Sequence, residues 1–85
     1  MKVRFKNIES KFAFTTGGRA NMSIAEYMGN EFHKAQTDFD GSIKLVDNKG
    51  NGIVLDAYGK AVPENGWNAC FFKDETQYLE MSYED

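Results

Sequence analysis

Two aspartates spaced two apart, Asp38 and Asp40 in TDFDGSI, form the sharpest chemical pattern in the sequence. In phosphoryl transfer one aspartate can attack phosphorus while a second, two residues on, serves as acid and base. That chemistry needs a buried strand leading into the pair. Here the residues before it, EFHKAQ, are polar and read as a helix end, so the two carboxylates read as turn residues bonded to their own backbone. A second pattern, DNKGNGIVLDAY over 47–58, puts Asp, Asn and Gly at the first, fifth and sixth places of a calcium loop. Lys49 then stands where an oxygen ligand belongs and Tyr58 where the closing glutamate belongs, so a hairpin turn is expected instead. The third, FAFTTGGRANMSIAE over 12–26, sets Gly17, Gly18 and Arg19 ahead of a helix start, the setting in which backbone N–H groups hold an anion. Its spacing matches no phosphate cradle, and a plain corner is the expectation. His33 and Cys70, the single residues of their kinds, are far apart in sequence, and no nucleophile, base and orienting group assemble from neighbours. Catalytic residues, metal ligands and cofactors are therefore all expected to be none, and the chain is not expected to be an enzyme.

Two surface patterns remain. Lys2, Arg4 and Lys6 alternate with Val3 and Phe5, and Lys11 and Arg19 could join them, with Trp67 and Tyr58 as rings on which bases could stack. At the other end Asp74, Glu75, Tyr78, Glu80, Glu84 and Asp85 form an acidic patch on the last strand and the turn before it. Carboxylates two apart on a strand lie about 6.6 Å from each other, so a row of them can imitate a nucleic-acid backbone and fill a basic groove. The whole chain is lopsided in the same sense: residues 1–37 hold six bases against three acids, and residues 38–85 four against ten, for a net charge of -3.

The elements that must carry these groups follow from hydrophobic period. MKVRFKNI alternates as a strand; KFAFT alternates again on even positions, as a second short strand. Ser23 followed by Glu26 has the form of a capping box, and Ile24, Tyr27, Met28, Phe32 and Ala35 recur at helical spacing across SIAEYMGNEFHKAQ. SIKLVD and IVLDAYGKAV flank NKGNG as one hairpin, and WNACFF with QYLEMSYE makes another around KDET. The expected fold is α+β: a mostly antiparallel sheet of four to six strands with one helix packed on one face, in the order β(β)αββββ. One such helix cannot cover both sheet faces. Residues 1–85 form a single domain whose core rests on twelve aromatics.

One cysteine and no apolar leader point to a reducing, cytoplasmic setting with no membrane contact. The function expected first is that of a non-catalytic inhibitor that binds a partner protein, itself a nucleic-acid-binding protein or nuclease, through the acidic patch. In general type this is similar to the small inhibitors that phages and mobile elements raise against host nucleases and defence complexes, although no motif ties the chain to such a family. The alternative is a small nucleic-acid-binding module using the basic first strand, against which a pI of about 5.1 counts. A homodimer through an exposed strand, Lys2 to Ile8 or Gln77 to Tyr83, is compatible with either; the oligomeric state is not fixed by the sequence.

Overall fold

The computed structural model describes residues 1–83. Its first element is β1 (Lys2–Phe5), as the alternation requires. The next departs from expectation: Ile8–Thr15 is a helix, α1, not a strand. Asn7 starts it, with extended backbone and a side-chain oxygen that accepts the Ser10 N–H at 2.8 Å, the local bond that makes asparagine a good first residue. The even spacing of Phe12 and Phe14 misleads because residues two apart on a helix face nearly opposite ways: Phe14 is 1% exposed and Phe12 64%.

A corner at Gly17 and Gly18 leads into α2 (Arg19–Met28), which begins earlier and ends sooner than the capping-box reading implies. Ser23 lies inside the helix and is buried, and Gly29 stops it by taking a positive φ of 56° that other residues rarely adopt. Phe32 and Ala35 continue the helical spacing by coincidence, for His33–Thr37 is β2. The NKGNG turn forms, with the Asp47 N–H bonded to the Asn51 carbonyl and a bridge between Val46 and Gly52. Beyond it the two flanks part. β3 (Ile43–Leu45) lies between β2 and β6 (Cys70–Phe71), whereas β4 (Val54–Leu55) pairs with β5 (Trp67–Asn68) in a separate two-stranded ribbon.

The second expected hairpin is also absent. β6 and β7 (Leu79–Ser82) occupy opposite edges of the main sheet, and a 3₁₀ helix, Lys73–Tyr78, carries the chain between them. The sheet is five-stranded and antiparallel, in the order β6-β3-β2-β1-β7. The α+β class holds, with a second α-helix and the 3₁₀ turn in place of a lone helix. Since β1 is paired on both sides, Lys2 to Ile8 is no free edge; β7 is one.

Register puts Val3, Phe5, Ala35, Ile43, Leu45, Phe71 and Leu79 on one face, where they meet Phe14, Ile24, Ala25 and Met28 from the two helices. Phe5, Phe14 and Phe71 form the centre, with the Phe14 and Phe71 rings stacked at 4.6 Å and Phe5 at 5.5 and 5.9 Å from them. Each buried phenylalanine is worth roughly 1.5–3 kcal/mol, so this trio carries much of a small core. Both helices lie on that face. The opposite face of the sheet has no layer over it among the described residues.

Candidate functional site

The period of two that buries Val3 and Phe5 turns Lys2 and Arg4 onto the open face, and Lys6 follows in phase just past the strand. Pairing then decides what stands beside them. Lys2 is directly opposite Lys34 on β2 and Ser82 on β7, and Arg4 is opposite Glu80. Further across, Gln36 faces Lys44, and Lys44 faces Cys70. The open face thus holds Lys2, Arg4, Lys6, Lys34 and Lys44 in one field, with Glu80 and Asp38 as the acids against it.

Those two acids act locally. Glu80 receives the Arg4 Nε–H, in an ion pair whose side chains are 42% and 47% exposed. The Arg4 guanidinium also lies over the Phe32 ring, 4.4 Å from its centre, so one cation is held by a carboxylate and an aromatic face together. Asp38 shares a shallow pocket of about 300 Å³ with Lys44 and Cys70. Partial burial raises the Cys70 pKa above its ordinary value, and Asp38, Asp40 and Glu75 push it the same way. Such a thiol stays protonated at neutral pH, and the pocket does not activate it. His33 lines a different groove, so the four residues singled out for chemistry do not meet in one cleft.

The sequence-based patches are rearranged. Lys11 sits on α1 and Arg19 opens α2, both on elements behind the sheet and apart from Lys2, Arg4 and Lys6. Gly17, Gly18 and Arg19 form the corner between two helices; there Asn21 donates from Nδ2 to the Phe14 carbonyl at 2.8 Å and to Glu75 Oε2 at 2.9 Å. Glu75 also accepts the Phe72 N–H at 2.9 Å, so its carboxylate caps the 3₁₀ helix and ties it to α2. Tyr78 packs beside Phe14, with ring centres 6.3 Å apart. Of the acidic patch, Asp74 is exposed on the 3₁₀ helix and Glu80 is engaged by Arg4, on different elements with no common row; Glu84 and Asp85 lie outside the described residues. Trp67 belongs to the two-stranded ribbon, and Tyr58 to a turn whose Gly59 abuts α2, so neither ring is on the open face.

Asp40 accepts from the Ser42 hydroxyl at 2.7 Å and the Ser42 N–H at 2.9 Å, bonds that lower its pKa. Asp47 and Asp56 do the same work in two further turns, each accepting two backbone N–H groups. These carboxylates close turns, as expected for Asp40; Asp38 takes part in its turn through its backbone instead, its N–H bonding the Ser42 carbonyl at 2.8 Å and its carbonyl accepting the Gly41 N–H at 3.0 Å. Among the described residues no group of three His, Cys, Asp or Glu is placed to hold a metal ion. No helix there is long and apolar enough to cross a membrane.

Lys34 and Lys44 escaped the sequence reading. Lys34 was absorbed into a helix that ends six residues earlier, although HKAQT alternates around the buried Ala35. Lys44 lies between Ile43 and Leu45 and could have been put on a wet face, but nothing local says which strands flank it. Comparison of the chain with protein-family models, with curated proteins and with solved structures found no match.

Proposed function

We propose that the chain is a non-catalytic binding module that lays single-stranded nucleic acid across the open sheet face, holding its phosphates with Lys2, Lys6, Lys34 and Lys44. The observation that supports this most is the register that sets Lys34 and Lys44 beside the β1 cations. Along β1, β2 and β3 this face shows Lys2, Arg4, Lys34, Gln36 and Lys44, with the Phe32 ring beneath Arg4 as the apolar group beside them, and lysine is a residue that protein interfaces avoid. A polyanion suits it better. The net charge of -3 is no obstacle, because charge on the far side of a body 24–29 Å across is screened within about 8–10 Å at physiological salt. With the Phe32 ring partly covered by Arg4, binding should be governed by phosphates rather than by base identity.

Charge reversal tests it. Lys34→Glu with Lys44→Glu should abolish the anisotropy rise of a labelled oligothymidylate. Lys11→Glu with Arg19→Glu, which alters the same number of charges behind the sheet, should leave most of it. Equal losses in the two proteins would refute the assignment.

A second reading, capture of a partner protein, draws support from Ile8 and Phe12, one turn apart on α1 and 55% and 64% exposed. Paired exposed apolar residues of this kind mark contact surfaces. In that reading the partner covers α1, and the acids Asp74 and Glu80 serve at its rim. Substituting Ile8→Ser with Phe12→Ser would then abolish capture and leave oligonucleotide binding unchanged.

A further inference from the structure

We propose that the groove where β1, β2 and the end of α2 meet is a pocket for a nucleoside monophosphate group, taken either as a free nucleotide or as the 5′-phosphorylated end of a strand. For the second source the proposal rests on the open-face reading. The groove has a volume of about 750 Å³, within the range of about 300–1,000 Å³ usual for small-molecule sites.

Lys2 and Lys34 stand at one side of it, directly opposite each other across β1 and β2. Like charges so placed destabilise a sheet, and no ion pair relieves either lysine among the described residues. A phosphate between them converts that repulsion into two charge-assisted hydrogen bonds. Phe32 lines the groove on the lysine side; Tyr27 and His33 line it from the helix side of the sheet, where His33 pairs with Val3, their ring centres 5.1 Å apart and their planes tilted by 42°, so that one of the two rings can meet the face of a base.

The far wall carries groups that fit the edge of a base. A carbonyl oxygen can only accept, so the 2.8 Å contact between His33 Nε2 and the Met28 carbonyl places a proton on Nε2. In the neutral ring Nδ1 is then left as an acceptor, with no partner among the described residues. Asp47 and Asn48 complete that wall. The Asp47 carboxylate uses Oδ1 on the N–H groups of Lys49 and Asn51, and these bonds, that of Asn51 foremost, lower its pKa, so it is ionised at neutral pH. Its charge repels phosphate from that end and favours an amino-bearing ring edge. Lysines on one side and a carboxylate with an amide on the other therefore fix the orientation: phosphate outward on the sheet face, base inward.

The test is titration of the isotopically labelled chain with adenosine 5′-monophosphate, inorganic phosphate and adenosine, followed by amide chemical shifts at constant ionic strength. The monophosphate should move the amides of Lys2, His33, Lys34 and Asn48 and bind at least about tenfold more tightly than either fragment. Lys2→Gln with Lys34→Gln should remove that preference. Asn48→Ala, which leaves the lysines in place, should weaken the nucleotide without altering inorganic phosphate. A nucleotide that moves these amides no more than phosphate does would overturn the pocket. Oligothymidylate binding in the same buffer separates the readings: retained oligonucleotide with a failed nucleotide removes the pocket and leaves the face, and the converse removes the face. Tighter binding of a 5′-phosphorylated oligothymidylate than of its 5′-hydroxyl form assigns the strand end as the source; equal binding assigns the free nucleotide.

Discussion

Replacing Glu80 by glutamine separates the two readings of this molecule, because it strengthens one and weakens the other. In the structure Glu80 ties up Arg4, and among the described residues Lys2, Lys6, Lys34 and Lys44 have no ion-pair partner. The pair is nearly half exposed, so its loss should cost only about 0.2–1 kcal/mol of stability, and the fold should persist. Each cation engaged by single-stranded nucleic acid adds about 0.7 to the slope of log affinity against log salt. A freed Arg4 therefore steepens a four-cation slope of about -3 to about -3.5. Taking about 1 M salt as the point where the extra contact contributes nothing, affinity at about 0.05 M rises by about eightfold. Fluorescence anisotropy of a labelled oligothymidylate over a salt series reads both quantities. An unchanged slope, or weaker binding, would refute the placing of Arg4 and Glu80 at the contact. Capture of a partner through carboxylates predicts the opposite sign, with Glu80→Gln losing affinity.

Three further outcomes follow from the geometry. Gly66→Ala would drive a Cβ into the Leu55 carbonyl, where backbone must shift, and should lower stability by about 1–3 kcal/mol in urea denaturation. Glu75→Ala removes the acceptor for both the Phe72 N–H and the Asn21 amide and should cost about 0.5–2 kcal/mol; Glu75→Gln should recover part of it, and equal stability of all three proteins would show that the cap is idle. Asp40, Asp47 and Asp56 have pKa values lowered in the folded state, chiefly by the Ser42 hydroxyl and by the Asn51 and Lys60 N–H groups. A lowered carboxyl stabilises the fold above its unfolded value of about 3.9, and that support fades as pH falls through the folded value. The urea midpoint should thus be flat from pH 7 to 5 as far as these groups are concerned and decline below about 4, less steeply in Asp47→Asn with Asp56→Asn.

What the sequence revealed was local, and what it concealed was pairing. Alternation in β1 correctly assigned Val3 and Phe5 inward and Lys2 and Arg4 outward, because one buried face imposes a period of two whatever the neighbours are; Lys6 lies just past the strand. The turn at Asp47 to Asn51 was legible in its Asn and Gly residues. Short elements are too brief for their period to show. In α1, eight residues with apolar side chains on both sides, Phe12 and Phe14 imitate a strand, and only the bond from Asn7 to the Ser10 N–H reveals a helix start. From Ser23 to Ala35 a helical period runs unbroken across Gly29, so its positive φ and the sheet pairing of Ala35 were invisible. A hairpin was expected of WNACFF with QYLEMSYE, yet β6 and β7 are separated by the full width of the sheet. The candidate site suffered most from this. Its two added lysines come from β2 and β3, and their proximity to β1 is a property of strand order.

The most direct measurement is the affinity of the unaltered chain for an oligothymidylate across a salt series from about 0.05 to 0.2 M. With Lys2, Lys6, Lys34 and Lys44 on phosphates, log affinity should fall along a line of slope about -3, roughly a fiftyfold loss over that range. Absence of binding at the lowest salt, or an affinity indifferent to salt, would contradict the assignment of the open face.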